Sequence, residues 1–384
     1  MESQAKKPSH FRYIDTLRGL AFLGVLVVHC VAQVGPFPDH DLLSTGYPVQ
    51  LFFLVSAITL CYSMSSRTKM DRLPWLSFFV RRFFRIAPLF WMAIVFYSLC
   101  PDFLNPTDSH IPIQPYEYLL TFLFLHGFSL EALNRVVPGG WSVTVEWTFY
   151  LFFPLLFSAI TSLKKAIVGI LISALVASLG LMPIISSLRK IAPGNEYNQL
   201  SMFSHACFAS QGPVFLIGFA TYFFLRSGPE FLTKSRFWSC ILLFFSAIVY
   251  VILLSVKHSV LPVLYPEVIF LALMIIAISG ESVPYIVNPV LCYLGKISFS
   301  CYLVHFAVLG LTLHILGFAS NMLAKDPGSG GHNFLLFLKI LAITLGFTVA
   351  GSTITHYLIE EPGIGLGRKI VQRLNRYERS DHRS

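Results

Sequence analysis

Two residues of the stretch FRYIDTLRGLAFLGVLVVHC (11–30) could do chemistry together: Arg18 and His29. They stand eleven positions apart. On an α-helix that spacing puts both on one face to within about 20° and separates them by roughly 16 Å. A neutral imidazole can take a proton from a hydroxyl near pH 7. A guanidinium is a planar fork of donors that suits phosphate. Asp15, three residues before Arg18, can pair with it on the helix surface, so Arg18 could equally be half of an ion pair that anchors topology. Because ionisable groups inside membrane helices face polar cavities, Arg18 at the membrane edge and His29 near mid-depth are expected to mark one polar path.

Three further groups share this pattern. Arg81, Arg82 and Arg85 form a second basic cluster, in which Arg82 and Arg85 fall on one helix face. Such residues often only snorkel to the membrane surface, but two clusters on one side would suit a polyanionic cytosolic ligand. In GGWSVTVEWTFY, Ser142 and Glu146 are four apart, and Glu146 has no cation near it in the chain. It needs a partner from another helix, and His29 is the candidate, since a carboxylate orients an imidazole. In LGKISFSCYLVH, the spacing of Ser298, Tyr302 and His305 makes an inward polar stripe, either part of the cavity or a hydrogen-bonded helix seam.

The elements that must carry these residues are membrane helices. The 384 residues are 55% hydrophobic and 12% charged, about half the charged fraction of a soluble domain, and the mean hydropathy is +0.68. The net charge of +9 reads as basic residues in short cytoplasmic loops. No nucleic-acid module is visible. The seven Cys are scattered without CxxC or metal spacing, so neither a metal site nor a disulfide framework is expected. The predicted fold is all-α: a polytopic membrane helix bundle of about ten transmembrane helices, with both termini cytoplasmic. Spans are expected near 15–34, 47–64, 83–100, 141–160, 166–184, 209–225, 237–256, 262–279, 298–319 and 333–357. Residues 116–131 are apolar but too short to cross, so a short re-entrant segment is expected there. Loops are expected at 35–41, 101–115, 186–208 and 321–333. All but Arg135, Arg189, Lys190, Lys257, Lys325 and Lys339 of the 28 Lys and Arg residues then fall on the cytoplasmic side. The organisation is a cytoplasmic segment 1–14, a membrane domain 15–362 and a basic cytoplasmic tail 363–384, with Glu360 and Glu361 before Pro362 ending the last helix.

The order of these motifs resembles the acyltransferase-three family of bacterial integral-membrane O-acyltransferases. The resemblance rests on YIDTLRGLAFLGVLVVH (13–29), LFFLVSAITL (51–60), RRFFRIAPLFW (81–91), GGWSVTVEWTFYLFFPLL (139–156), LGKISFSCYLVH (294–305) and IEEP (359–362). It implies a multi-pass protein of the bacterial cell inner membrane. It also implies transfer of acetyl from cytosolic acetyl-CoA, with no permanently bound cofactor, to a carbohydrate acceptor such as a surface polysaccharide or lipopolysaccharide O-antigen. In that reading Arg18, Arg82 and Arg85 bind the donor. His29, oriented by Glu146, acts as base or carries the acyl group. Asp15, Ser142, Tyr302 and His305 line the polar cavity. The membrane domain works alone or with a separate extracytoplasmic helper protein. A secondary transporter or acyl-donor carrier without a transferase step is the alternative.

Overall fold

The computed structural model describes residues 12–36, 43, 48–68, 71–100, 112–191, 194–255, 266–280, 283, 285–317 and 330–380. Among them there are helices and turns but no strand. The helices are α1 (Arg12–Val31), α2 (Pro48–Arg67), α3 (Pro74–Leu99), α4 (Pro115–Phe122), α5 (Gly140–Ala159), α6 (Leu163–Val176), α7 (Met182–Ile191), α8 (Gly194–Ala206), α9 (Phe208–Ser227), α10 (Arg236–Ser255), α11 (Pro266–Ser279), α12 (Pro289–Lys296), α13 (Ser298–Ile315), α14 (Gly330–Thr355) and α15 (Glu361–Ser380). Seven helical stretches among the described residues are long and apolar enough to cross a membrane. The protein is thus an all-α, multi-pass membrane bundle. Residues 1–11 of the expected segment 1–14 and much of the expected loops at 35–41, 101–115 and 321–333, with Lys257 and His258, lie outside the described residues; residues 12–14 already belong to α1.

Local chemistry explains most starts. Pro74, Pro115 and Pro289 sit in first turns, where a missing N–H costs nothing. Ser162 caps α6 by accepting from the Lys165 amide, and Asn288 caps α12 by accepting from the Leu291 amide at 3.0 Å. The expected start of the third span at 83 is corrected to Pro74: the run PWLSFFV is apolar and already helical. Arg82 and Arg85 therefore lie more than two turns inside α3 and not at its edge. Likewise α1 begins at Arg12 and ends at Val31, which puts Arg18 in its second turn and His29 in its last. His29 is therefore near the far end of its helix.

Residues 115–128 form the non-crossing segment that their length predicted. Eight-residue α4 is followed by a single 3₁₀ turn, His126–Phe128. The segment is clasped to its neighbours by polar bonds. Trp91 Nε1 donates to the Phe122 carbonyl at 3.0 Å, Thr144 Oγ1 to that of Phe124 at 2.6 Å, and His126 Nε2 to that of Gly140 at 2.9 Å. Phe124 holds φ +60°, a left-handed conformation that costs a non-glycine residue about 1–3 kcal/mol. Its ring stacks with Phe90 and Trp147, and that buried packing offsets the strain.

Three stretches outside the expected spans are helical. Residues 186–208 carry α7 and α8; Arg189 and Lys190 in the last turn of α7 complement the helix dipole. The segment before Lys296 contains α12, packed along α1. The last helix also does not end at Glu360: a π-turn, His356–Glu360, joins α14 to α15. Pro362 falls in the first turn of the new helix, where proline is tolerated. The turn is held by Glu360, whose carboxylate accepts from Ser300 at 2.7 Å and contacts His356 Nδ1 at 3.0 Å.

Helix α15 docks on α3, the helix that carries Arg82 and Arg85. Arg81 is turned away from them: it donates to Asp71 at 2.6 Å, and Asn375 of α15 donates to the same carboxylate at 3.3 Å. A β-carbon on Gly367 would lie 2.8 Å from Phe84 Cβ, so the two helices touch there through glycine. Gly367→Leu is expected to overpack this contact, destabilising by about 1–3 kcal/mol. A lower melting temperature in detergent would report it.

Candidate functional site

Helices α1, α2, α3, α5 and α13 line a cleft. Arg18, Ser56, Arg82, Arg85, Ser142, Glu146, Tyr150, Ser298 and Tyr302 supply most of its polar lining, and Val49, Phe52 and Phe53 part of its apolar wall. Seven residues singled out by type and spacing, Arg18, Arg82, Arg85, Ser142, Glu146, Ser298 and Tyr302, thus come together from four helices.

One end is cationic. Arg18 lies 3.4 Å from Asp15 and 3.3 Å from Thr59 Oγ1, so the ion pair expected from the i, i+3 spacing does form, loosely. Among the described residues no carboxylate lies within ion-pairing distance of Arg82 or Arg85. Arg82 instead packs near the rings of Phe78 and Tyr150, 5.9 and 5.8 Å from their centroids, and its buried Nε has no hydrogen-bond partner. Three guanidinium groups face one carboxylate in the lining. A partly desolvated excess of positive charge is costly when empty, so it is the feature of the cleft most in need of an anion.

Glu146 is the lone carboxylate. Its Oε1 accepts from Ser56 Oγ and from Tyr150 OH, both at 2.6 Å. Among the described residues no hydrogen bond joins it to His29, which corrects the expected base–orienter pair. The physical reason lies in the helix ends: Glu146 is in the second turn of α5, across the cleft from α2, whereas His29 is in the last turn of α1. Ser56 and Tyr150 were missed from sequence. Tyr150 was findable, because it stands four residues after Glu146 on the same face; nothing in the spacing of α2 marked Ser56.

The other end closes on Tyr302. Ser142 Oγ donates to its hydroxyl at 2.7 Å, and Tyr302 OH donates to the Gly139 carbonyl at 2.9 Å. Gly139 holds φ +72° at the start of α5, and a β-carbon there would meet Phe306 at 2.9 Å and the Tyr302 hydroxyl at 3.0 Å. Gly139→Ala therefore combines a disfavoured backbone with a steric push on Tyr302. It is expected to destabilise by about 1–3 kcal/mol and to lower turnover, read by thermal melting and by rate on the same preparation.

His29 and His305 are not among the residues lining this cleft. They stand just past Tyr302: the ring of His305 is 5.8 Å from that of Tyr302 and 5.3 Å from that of His29, and His29 is 4.5 Å from Phe306. His305 is fully buried and His29 half-buried. The expected polar path from Arg18 to His29 is not one continuous cleft: the lining reaches Tyr302, and beyond it Tyr302, His305 and His29 are neighbours by ring contact, with no side-chain hydrogen bond joining them among the described residues. The stripe Ser298, Tyr302, His305 is split by depth: two residues reach the cleft and the third reaches His29.

Comparison with protein families matches residues 11–355 to the model of a family described as "Acyltransferase domain". The chain is similar to "Acyltransferase MdmB" of Streptomyces mycarofaciens, 26% identical over 394 aligned residues that cover 92% of each protein. It is also similar to Staphylococcus aureus proteins of strains COL and MSSA476 named "Putative O-acetyltransferase", at 25% identity over 332 residues. Those alignments cover 79% of this chain and 51% of the relatives, so the chain spans about half the length of the staphylococcal proteins it matches. No solved structure matches the chain.

Proposed function

The chain belongs to this acyltransferase family and is a membrane-embedded acyltransferase, and on that premise we propose that it moves acetyl from cytosolic acetyl-CoA to a hydroxyl of a cell-surface polysaccharide or lipopolysaccharide O-antigen. The observation that carries the donor assignment is the excess of guanidinium in the cleft. Arg18, Arg82 and Arg85 meet one carboxylate there. CoA is a phosphate-rich donor with a long, thin thioester arm, and arginine matches phosphate geometry with charge-assisted bonds. In this reading the phosphates dock at the arginine end, on the cytoplasmic side of a bacterial inner membrane. The thioester arm runs past Glu146 toward Ser142 and Tyr302. The acceptor approaches from the end of α1 that holds half-buried His29.

Transfer needs one bond made and one broken. The acceptor oxygen attacks the acetyl carbon, a C–O bond forms, and the C–S bond breaks. The proton leaves the hydroxyl for His29 and ends on the CoA sulfur. A base held in place is worth about 10²–10⁴-fold in such a step. The separate extracytoplasmic helper that the sequence leaves room for would act on acceptor delivery. Donor binding needs only the cleft.

The test is purified protein in lipid nanodiscs with acetyl-labelled acetyl-CoA and surface glycan from cells lacking the protein. Label entering the glycan with matching release of free CoA thiol is the expected result. No thiol release, together with unchanged glycan acetylation by mass spectrometry in cells without the protein, overturns the proposal.

A further inference from the structure

His305 is buried at 0% exposure on α13, and its hydrogen bonds fix which nitrogen carries the proton. Nδ1 lies 2.8 Å from the Tyr302 carbonyl and 3.2 Å from the Cys301 carbonyl. A carbonyl oxygen only accepts, so Nδ1 must be the N–H. In the neutral ring Nε2 is then a bare acceptor. Among the described residues it has no hydrogen-bond partner. A buried acceptor left unmatched is costly and calls for a donor.

The ring placed to supply that donor is His29. The two ring centres are 5.3 Å apart, with planes tilted by 39°. Imidazole rings at that separation bring facing nitrogens to about 3 Å, a hydrogen-bond distance, once their edges turn toward each other. The other rings around His305 are Phe306 at 4.1 Å, Tyr302 at 5.8 Å and Phe22 at 6.4 Å. Phe22 and Phe306 have no donor, and the Tyr302 hydroxyl is already committed to the Gly139 carbonyl.

We propose that His305 is the positioning residue for His29: its carbonyl-locked tautomer offers only an acceptor, which holds one N–H of His29 and leaves the opposite nitrogen unprotonated and facing the acceptor hydroxyl. This rests on the transferase reading above. It gives His305 the orienting role that the sequence suggested for Glu146. Glu146 stays with Ser56 and Tyr150 at the donor end. The proton path is unchanged in balance: the acceptor hydroxyl gives its proton to the free nitrogen of His29, which passes it to the departing sulfur, while the bond to His305 persists.

The experiment compares three substitutions in nanodisc-reconstituted protein, with kcat and the KM for acetyl-CoA measured separately. His305→Phe keeps the ring and removes the acceptor. His305→Gln carries an amide oxygen to the reach of the former Nε2. His305→Asn carries it only to the level of Nδ1. Loss of one charge-assisted bond predicts a fall in kcat of about 10–100-fold in the Phe and Asn variants. KM is expected to hold, and Gln is expected to recover a substantial part of the rate. If Phe fails to fold, the Asn–Gln contrast carries the test. Full kcat in the Phe variant overturns the proposal, as does equal loss in Gln and Asn, or a loss carried in KM. Unmodified protein that releases no CoA would bring down the transferase reading, and this inference with it.

Discussion

His29→Ala is expected to lower acetyl transfer by about 10²–10⁴-fold, the usual contribution of a positioned general base, while acetyl-CoA still binds with the affinity of the unaltered protein. The second half of this expectation follows from distance along the fold. His29 is in the last turn of α1 and outside the cleft lining, whereas the arginine cluster begins at Arg18 in the second turn. The roughly 16 Å of helix between them means that removing the imidazole touches none of the arginine contacts proposed to hold the donor phosphates. Fold loss is not expected to confuse the result. His29 is half-buried and packs at a tilt against Phe306 and His305, so its truncation removes little core. Two measurements on one preparation decide the point: labelled acetyl-CoA binding by equilibrium titration, and acetylated glycan formed per minute. A variant that binds donor and acetylates at the parental rate removes His29 from the chemistry. A variant that loses donor binding as well would place His29 in a different site from the one argued here.

How much of this arrangement was legible in the sequence follows from the range of each interaction. The all-helical membrane class, seven of the ten expected spans and the non-crossing stretch near 116–131 are set by local hydropathy and length, which a linear sequence displays directly; the expected spans at 83–100, 237–256 and 262–279 are not among the seven stretches of the described residues that are long and apolar enough to cross. The gathering of Arg18, Arg82, Arg85, Ser142, Glu146 and Tyr302 was visible as residue type and same-face spacing, and the cleft joins them. What the sequence hid were pairings between helices. Glu146 needed a partner on another helix, but nothing in one chain distinguishes His29 from Ser56 as that partner; the answer depends on how far along its axis α2 meets α5. The continuation of the chain past Pro362 was hidden for a different reason. Proline reads as a stop in a helix interior and as a start in a first turn, and only the preceding π-turn decides which applies. The start of α3 was misjudged for the same kind of reason: apolar residues at 74–80 look like a loop edge beside so many arginines, yet they are its first turns.

Replacing Arg82 or Arg85 with alanine is expected to weaken acetyl-CoA binding by about 10–100-fold each, since a hydrogen bond to a charged group contributes about 1.5–3 kcal/mol and each 1.4 kcal/mol is a factor of ten. The accompanying effect on stability should have the opposite sign. Neither residue has a carboxylate partner among the described residues, and Arg82 Nε is buried without a hydrogen bond. Removing a buried, unpaired charge relieves a desolvation cost. The donor-free Arg82→Ala protein is therefore expected to melt no lower than the parent while it binds donor worse. Arg81→Ala supplies the contrast on the same helix. That guanidinium is bonded to Asp71, and its loss should lower the melting temperature and leave donor affinity intact. Arg82→Lys separates charge from geometry: an ammonium keeps the positive charge but cannot form the paired, planar bonds of a guanidinium, so an intermediate affinity is expected. Binding should also weaken as salt is raised, though less steeply than for an exposed site, because buried pairs are poorly screened. Isothermal titration with acetyl-CoA and thermal melting of the donor-free proteins read both signs. Parental affinity in both the Arg82 and the Arg85 variants would strip the cleft of its anion-binding role, and the donor would have to enter elsewhere.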